Sequence, residues 1–244
     1  MNAARAATVA VAVIAKAPRP GHVKTRLQAI VSPNEAAGLG AAFLQDTLAN
    51  LALAAQDAPI AAYVAYAPAG QESRFDGLLP PRTTLLLADG TGGDAPGVEG
   101  FGRVLLDTTR ALLARGHAAA CVLAADSPTL PTAELVRAAR VLLDGSADAV
   151  LGPAEDGGYW VLGLRQPHAE PFARIAWSTD AAAEQTRERL AETGLRTVEL
   201  ATWYDVDDPA SLARLLRERT GFPAPYTTAL LEQLGLADRL RASA

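Results

Sequence analysis

The sequence predicts an α/β fold, a mostly parallel sheet of about seven strands flanked by helices on both faces. Three observations predict it. Short, continuously apolar runs recur along the chain, the pattern of strands covered on both faces rather than one. Helical patterns separate these runs, and strand–helix–strand alternation gives parallel neighbours through right-handed crossovers. The composition is also rich in Ala, which favours helices packed outside a compact sheet.

The strand runs are TVAVAVIA from Thr8, IAAYVAYA from Ile60, TTLLLA from Thr83, AACVLAA from Ala119, ADAVLGP from Ala147, YWVLGL from Tyr159 and LRTVELA from Leu195. The clearest helix begins at SPNE, where Ser32 caps, Pro33 takes the first helical position and Glu35 completes a capping box. Further helices are expected near Gly102, Thr132, Ser178 and Pro209. The stretch DGTGGDAPGVEGFG, residues 89–102, is too rich in glycine for regular structure and reads as a flexible loop, a lid or plain surface. A single domain is expected over residues 1–222, with 223–244 as a helical extension packed on it.

At 244 residues the chain can bury a core without disulfides or a structural metal. Lys and Arg number 22 against 27 acidic residues, a net charge of -5 that argues against a broad nucleic-acid or anionic-membrane surface. The single cysteine, Cys121, lies inside an apolar strand run and reads as a buried side chain. One cysteine makes no internal disulfide, which fits a reducing, cytoplasmic location. The N-terminal apolar run is too short to span a bilayer and is followed at once by Lys16 and a Pro-Gly loop, so it reads as the first strand. No membrane span is expected.

Four segments follow strand runs, where open α/β sheets place their ligands. KAPRPGHVKTRL puts Lys16, Arg19, Lys24 and Arg26 in a loop whose Pro and Gly oppose helix, which suits phosphate oxygens. The spacing is not that of a Walker A loop. Asp126, in AADSPTLP, is a carboxylate at a strand exit, suited either to a divalent metal on phosphates or to a helix cap. In GPAEDGGYWVLGL, Glu155 and Asp156 precede Gly157 and Gly158, which admit a close ligand or make a plain hairpin turn. Tyr159 and Trp160 there point to opposite faces. In WYDVDDPASL, Asp205 and Asp207 share one face of an extended segment, costly without a cation between them, and Asp208 caps the next helix. WSTD reads first as a cap at Ser178, with Asp180 as a secondary candidate for acceptor binding or base. His22, His117 and His168 show no metal-ligand spacing.

Taken in order, AKAPRPGHVKTRL, ADSP, GPAEDGGYWVLGL, WSTD and YDVDDPASL resemble the radical-SAM/selenodomain-associated transferase family of the nucleotide-diphospho-sugar transferase superfamily. The resemblance runs from about Val9 to Leu212. It implies a Rossmann-like, GT-A-type sheet, a nucleotide ligand and Mg²⁺ or Mn²⁺. By the same resemblance, Asp126, Asp205 and Asp207 are expected to hold the metal. Ala15, Lys16, Ala17, Arg19, Gly21, Lys24, Thr25, Arg26, Gly93 and Asp94 are expected on the nucleotide phosphates. Glu155, Asp156, Gly157, Gly158, Tyr159, Trp177 and Asp180 are expected at the acceptor, with Asp126, Lys24, Arg26 and Asp156 catalytic. The segment GGDAPGVEGFGR departs from the family's GGDLGER-like pattern, which bears on the acceptor or the lid over it.

The implied reaction is glycosyl transfer from a nucleotide sugar to a small-molecule acceptor. The KTRL segment is also similar to phospholactate guanylyltransferases, which implies nucleotidyl transfer from a nucleoside triphosphate with release of pyrophosphate. A nucleotide-binding regulator without turnover is the non-enzymatic alternative. The oligomeric state is left open, a dimer included.

Overall fold

The computed structural model describes residues 7–93, 95–218 and 220–242. All seven expected strands form: β1 Val9–Lys16, β2 Ile60–Ala67, β3 Thr84–Leu87, β4 Ala119–Ala124, β5 Ala149–Pro153, β6 Tyr159–Leu164 and β7 Thr197–Glu199. They make one sheet in the order β3-β2-β1-β4-β6-β5-β7. Every pairing is parallel except those of β6, which runs antiparallel to β4 and β5.

The helices are α1 Pro33–Ala54, α2 Gly100–Leu113, α3 Thr132–Leu143, α4 Ala182–Glu192, α5 Pro209–Arg217, α6 Pro225–Gln233 and α7 Leu236–Ala242. The capping box at α1 is present: Glu35 N donates to Ser32 Oγ and Ser32 N donates to the Glu35 carboxylate. Asp208 likewise accepts from Ser211 N at α5, with Pro209 at the first helical position.

Three local expectations are corrected. Ser178 does not cap α4. It sits at φ 63°, outside the extended region a cap requires, and the helix starts at Ala182 behind an Ala181 with no side-chain cap. The glycine-rich stretch is shorter than expected, because Gly100 to Gly102 form the first turn of α2. The loop after β1 closes with a 3-10 turn, Thr25–Ala29. Pro20 and Gly21 oppose helix only locally, and fully buried Leu27 pulls the following turn onto the protein.

Strand β1 shows why helices cover both faces. Val9, Val11 and Val13 pack with Leu44, Leu48 and Leu51 of α1, while Ala10 and Ala12 pack with Leu112 of α2. A separate, smaller core joins Leu27, Phe43, Tyr204, Val206 and Leu212 to Leu231 and Leu236 near the C-terminus. Each buried aliphatic or aromatic side chain of this kind stabilises by roughly 1.5–3 kcal/mol. The junction is also polar: fully buried Asp46 of α1 accepts from the backbone N–H groups of Tyr226 and Thr227 at the start of α6. Cys121 is buried in β4, and burial pushes its thiol pKa up to about 12, which makes it inert. Among the described residues no helix is long and apolar enough to cross a membrane.

Candidate functional site

The chain leaves β1 toward β2 on one side and returns from β3 to β4 on the other. This reversal opens a crevice at the carboxyl ends of β1 and β4. A cavity of about 490 Å³ lies there, lined by Lys16, Lys24 and Arg26 after β1 and by Asp126 and Asp207. Ala15 and Thr25 also line it. Its apolar floor was not expected from the sequence: Ala65 and Ala67 of β2, Ala88, and Phe101 and Val104 of α2. The legible signal for it is the run of alanines at strand exits, which keep the crevice open where larger side chains would fill it.

Lys24 organises the charges. Its Nζ lies 2.6 Å from Asp126 Oδ1 and 2.7 Å from Asp207 Oδ1, donates to the Val206 carbonyl at 2.8 Å, and sits 4.9 Å from the Phe43 ring centroid. The Lys24 side chain is only 7% exposed, against 42% for Asp126 and 36% for Asp207. Burial alone would lower the Lys24 pKa, but the two carboxylates outweigh it and the net shift is upward. The Lys24 backbone is left-handed, with φ 48° and ψ 42°, a conformation that costs a non-glycine residue about 1–3 kcal/mol. Leu27 buried on one side and the carboxylates on the other hold it in place.

The same alternation sets the acidic arm. Val206 is fully buried, so Asp205 and Asp207 flank it, and Val206 N donates to the Asp126 carbonyl at 2.8 Å. The loop after Asp126 is tied to α1, where Asn50 donates to the Leu130 carbonyl and accepts from the Thr132 hydroxyl. Asp126 therefore does not cap α3, whose N-cap position is Pro131. Burial, then repulsion from Asp156 and Asp207, pushes the Asp205 carboxyl up to about 7. Burial also acts on Asp207, but Lys24 holds that carboxyl below its ordinary value.

The donor set suits a hard divalent cation, because it is made of carboxylate oxygens and Asp205 carries repulsion that a cation relieves. Among the described residues no three His, Cys, Asp or Glu side chains form a ready cage.

The remaining expected residues are dispersed. Ala17 is buried in the main core, Arg19 bonds to His22 rather than facing the cavity, and Gly21 meets nothing nearby. Gly93 does not line the cavity; its carbonyl accepts from Arg110, while neighbouring Gly92 N donates to Asp107. Asp94 lies outside the described residues. Glu155 pairs with Arg214, whose guanidinium lies 4.1 Å from the Tyr204 ring, so it braces α5. Asp156 accepts from Gly158 N at 2.8 Å within the β5–β6 turn. Gly157, at φ 86°, is required by the Asp180 backbone: a Cβ there would lie 2.1 Å from the Asp180 carbonyl oxygen. Close approach is thus real at Gly157, but a neighbouring loop makes it. Trp160 is buried, whereas Tyr159 turns toward Trp177, ring centroids 6.2 Å apart.

Comparison with known proteins adds the family. A family profile described as an uncharacterized protein conserved in bacteria, DUF2064, matches residues 50–179. The chain belongs to the DUF2064 family. Among solved structures, this DUF2064 protein is similar to a candidate nucleotide-diphospho-sugar transferase from Desulfovibrio desulfuricans G20. The two are 26% identical, with 96% of this chain and 97% of that one covered and a TM-score of 0.78. It shares its fold with a cytidylyltransferase from Leptospira borgpetersenii serovar Hardjo-bovis (10% identity, 95% and 96% covered, TM-score 0.54). It also shares it with a CMP:2-keto-3-deoxy-manno-octonic acid synthetase solved with CTP (14% identity, 86% and 97% covered, TM-score 0.52). No curated protein sequence matches it. The fold is that of nucleotide-diphospho-sugar transferases and cytidylyltransferases, and the likenesses support membership of that superfamily.

Proposed function

We propose that this DUF2064 protein is a nucleotide-dependent transferase that moves a glycosyl group from a nucleotide-diphosphate sugar to a small-molecule acceptor, in the manner of the radical-SAM/selenodomain-associated transferases it resembles. One observation carries the reading: cations of the β1 exit and carboxylates of the β4 exit and the late acidic segment line one cavity. Lys16 and Arg26 make no ion pair among the described residues, so their charge is available to phosphates. Lys24, held by Asp126 and Asp207, sets where the diphosphate meets the acidic side.

In this reading one or two of Asp126, Asp205 and Asp207 would hold Mg²⁺ or Mn²⁺. When bound, the ion would supply positive charge to the departing diphosphate. An acceptor oxygen bonds to the anomeric carbon as the bond from that carbon to the β-phosphate oxygen breaks. The electron pair leaves with the nucleoside diphosphate, and the acceptor proton passes to water. Arg26 and Lys16 bind and orient the phosphates throughout, and oriented donors of this type contribute about 2.7–4 kcal/mol each in a dry site.

A second reading, nucleotidyl transfer from a nucleoside triphosphate, is favoured by the number of cations at the β1 exit. Product analysis separates them. Incubation with nucleotide sugars or nucleoside triphosphates and Mg²⁺ or Mn²⁺ is expected to release nucleoside diphosphate. Pyrophosphate instead would move the assignment to the second reading. Neither product, with nucleotide-dependent thermal stabilisation retained, would identify a binding protein without turnover.

A further inference from the structure

A second cleft, of about 420 Å³, opens beside α2 and is lined by Glu99, Gly100, Phe172, Arg174, Ile175 and Trp177. The wall between it and the larger cavity is aromatic. Phe101, which lines the larger cavity and is 46% exposed, meets Trp177 of the second cleft edge-to-face, with centroids 5.4 Å apart and planes at 87°. Tyr159 packs on Trp177, and its buried hydroxyl has no hydrogen-bond partner among the described residues. Gly102 is needed here. A Cβ on it would lie 2.7 Å from the Phe172 carbonyl oxygen and 3.0 Å from the Trp177 indole nitrogen, so the glycine lets the indole lie on the start of α2.

The backbone of this cleft is held in unusual conformations. Arg174 and Ser178, on either side of Trp177, both have positive φ, at 55° and 63°. Such residues persist where the surroundings over-determine them, frequently at binding sites. Arg174 N donates to the Gly97 carbonyl at 2.7 Å, and the Arg174 side chain lies over Gly97, its Cγ 3.2 Å from where a Cβ would be. The guanidinium is thus presented by a fixed base, and it makes no ion pair among the described residues. The one carboxylate lining the cleft, Glu99, is the N-cap residue of α2. Its side chain makes no cap hydrogen bond, so the cleft presents one guanidinium and one carboxylate, and Arg174 is the group that would pair with an anion.

We propose that this second cleft is the acceptor site, taking a small molecule with a flat or apolar face laid against Trp177 and an anionic group paired with Arg174. The proposal rests on the transferase reading for the word acceptor, and on the cleft's own geometry for the ligand chemistry. The Phe101–Trp177 pair then separates donor from acceptor, and its edge-to-face contact sets how closely the two ligands approach.

Indole ¹⁵N–¹H spectra test it, because the other two tryptophans have protein acceptors: Trp160 donates to the Ala201 carbonyl and Trp203 to the Thr129 hydroxyl. Trp177→Phe identifies the Trp177 resonance. Benzoate and phenyl phosphate serve as planar anions that distinguish carboxylate from phosphate, and benzamidine as the planar cation. At least one anion is expected to shift the Trp177 resonance saturably, with affinity at least tenfold above benzamidine. Arg174→Gln is expected to lose at least tenfold of that affinity, and Arg174→Lys to recover part of it. No saturable shift with either anion, equal binding of benzamidine, or unchanged affinity in Arg174→Gln would overturn the proposal. These titrations contain no nucleotide. Anion binding at Trp177 together with no nucleotide-dependent stabilisation would therefore sink the transferase reading and leave the anion cleft standing.

Discussion

At the α1–α6 junction, Asp46 is fully buried and both of its oxygens are matched by neutral backbone donors, Tyr226 N and Thr227 N. At the carboxyl ends of β1 and β4, by contrast, a single buried ammonium, Lys24, faces Asp126 and Asp207, with Asp205 and Asp156 close behind. Both clusters join segments that are distant in sequence. In the first, both carboxylate oxygens already accept from the backbone, so the carboxylate makes no demand for a cation. The second carries more carboxylates than its lysine can neutralise, and its acidic members remain partly open to solvent. A saturated buried cluster stabilises the fold, whereas an unbalanced one keeps a standing demand for a cation and for phosphates.

The comparison breaks if the two clusters respond alike to mutation. The largest expected effect is on chemistry: Asp126→Ala should abolish metal-dependent turnover while leaving the far-ultraviolet circular dichroism unchanged, and full activity would remove Asp126 from the site. Next in size, Asp46→Ala leaves the buried Thr227 N–H without an acceptor, at roughly 1–3 kcal/mol, and the part-buried Tyr226 N–H as well. It should lower the denaturation midpoint sharply, and nucleotide affinity measured below that midpoint should be unaltered. Arg26→Ala should weaken nucleotide binding more than tenfold in calorimetry, because charged hydrogen bonds contribute about 1.5–3 kcal/mol, with little change in stability.

The smallest expected effect sharpens the stability side. Arg239 of α7 pairs with Glu35, and that hydrogen bond, with the one from Ser32 N, lowers the Glu35 pKa from 4.5 to about 2. A folded-state pKa below the unfolded value means that the contribution is present above about 4.5 and is lost as pH falls toward about 2. Wild type should therefore lose more stability than Glu35→Gln across that window. Parallel acid-denaturation curves for the two proteins would show that the pair contributes nothing.

Much of the scaffold was legible because local signals decide it. Strands covered on both faces must be apolar at every position, and Val9 to Ile14 or Ala119 to Ala124 can be little else. Ser32 with Glu35, and Asp208 with Pro209, announce helix starts within a few residues. Ser178 misled because a serine before a helix offers the right oxygen, yet its backbone is left-handed and the helix begins only at Ala182. Glu155 misled in another way: its partner Arg214 lies 59 residues away, and no spacing rule connects them. The apolar floor at Ala65, Ala67 and Phe101 carried no chemical signature at all, only smallness and position.

By itself the sequence determined the strands, the caps of α1 and α5, the charge of the β1-exit loop and the presence of carboxylates at strand exits, because each follows from a residue and its near neighbours. Only the tertiary structure decided that Lys24 reaches Asp207 across 183 positions, that Gly157 yields to Asp180, and that Arg174 and Trp177 open a second cleft against α2. The physical reason is chain closure: parallel strands bring their carboxyl ends together from far apart in sequence, and which side chains then meet depends on sheet order.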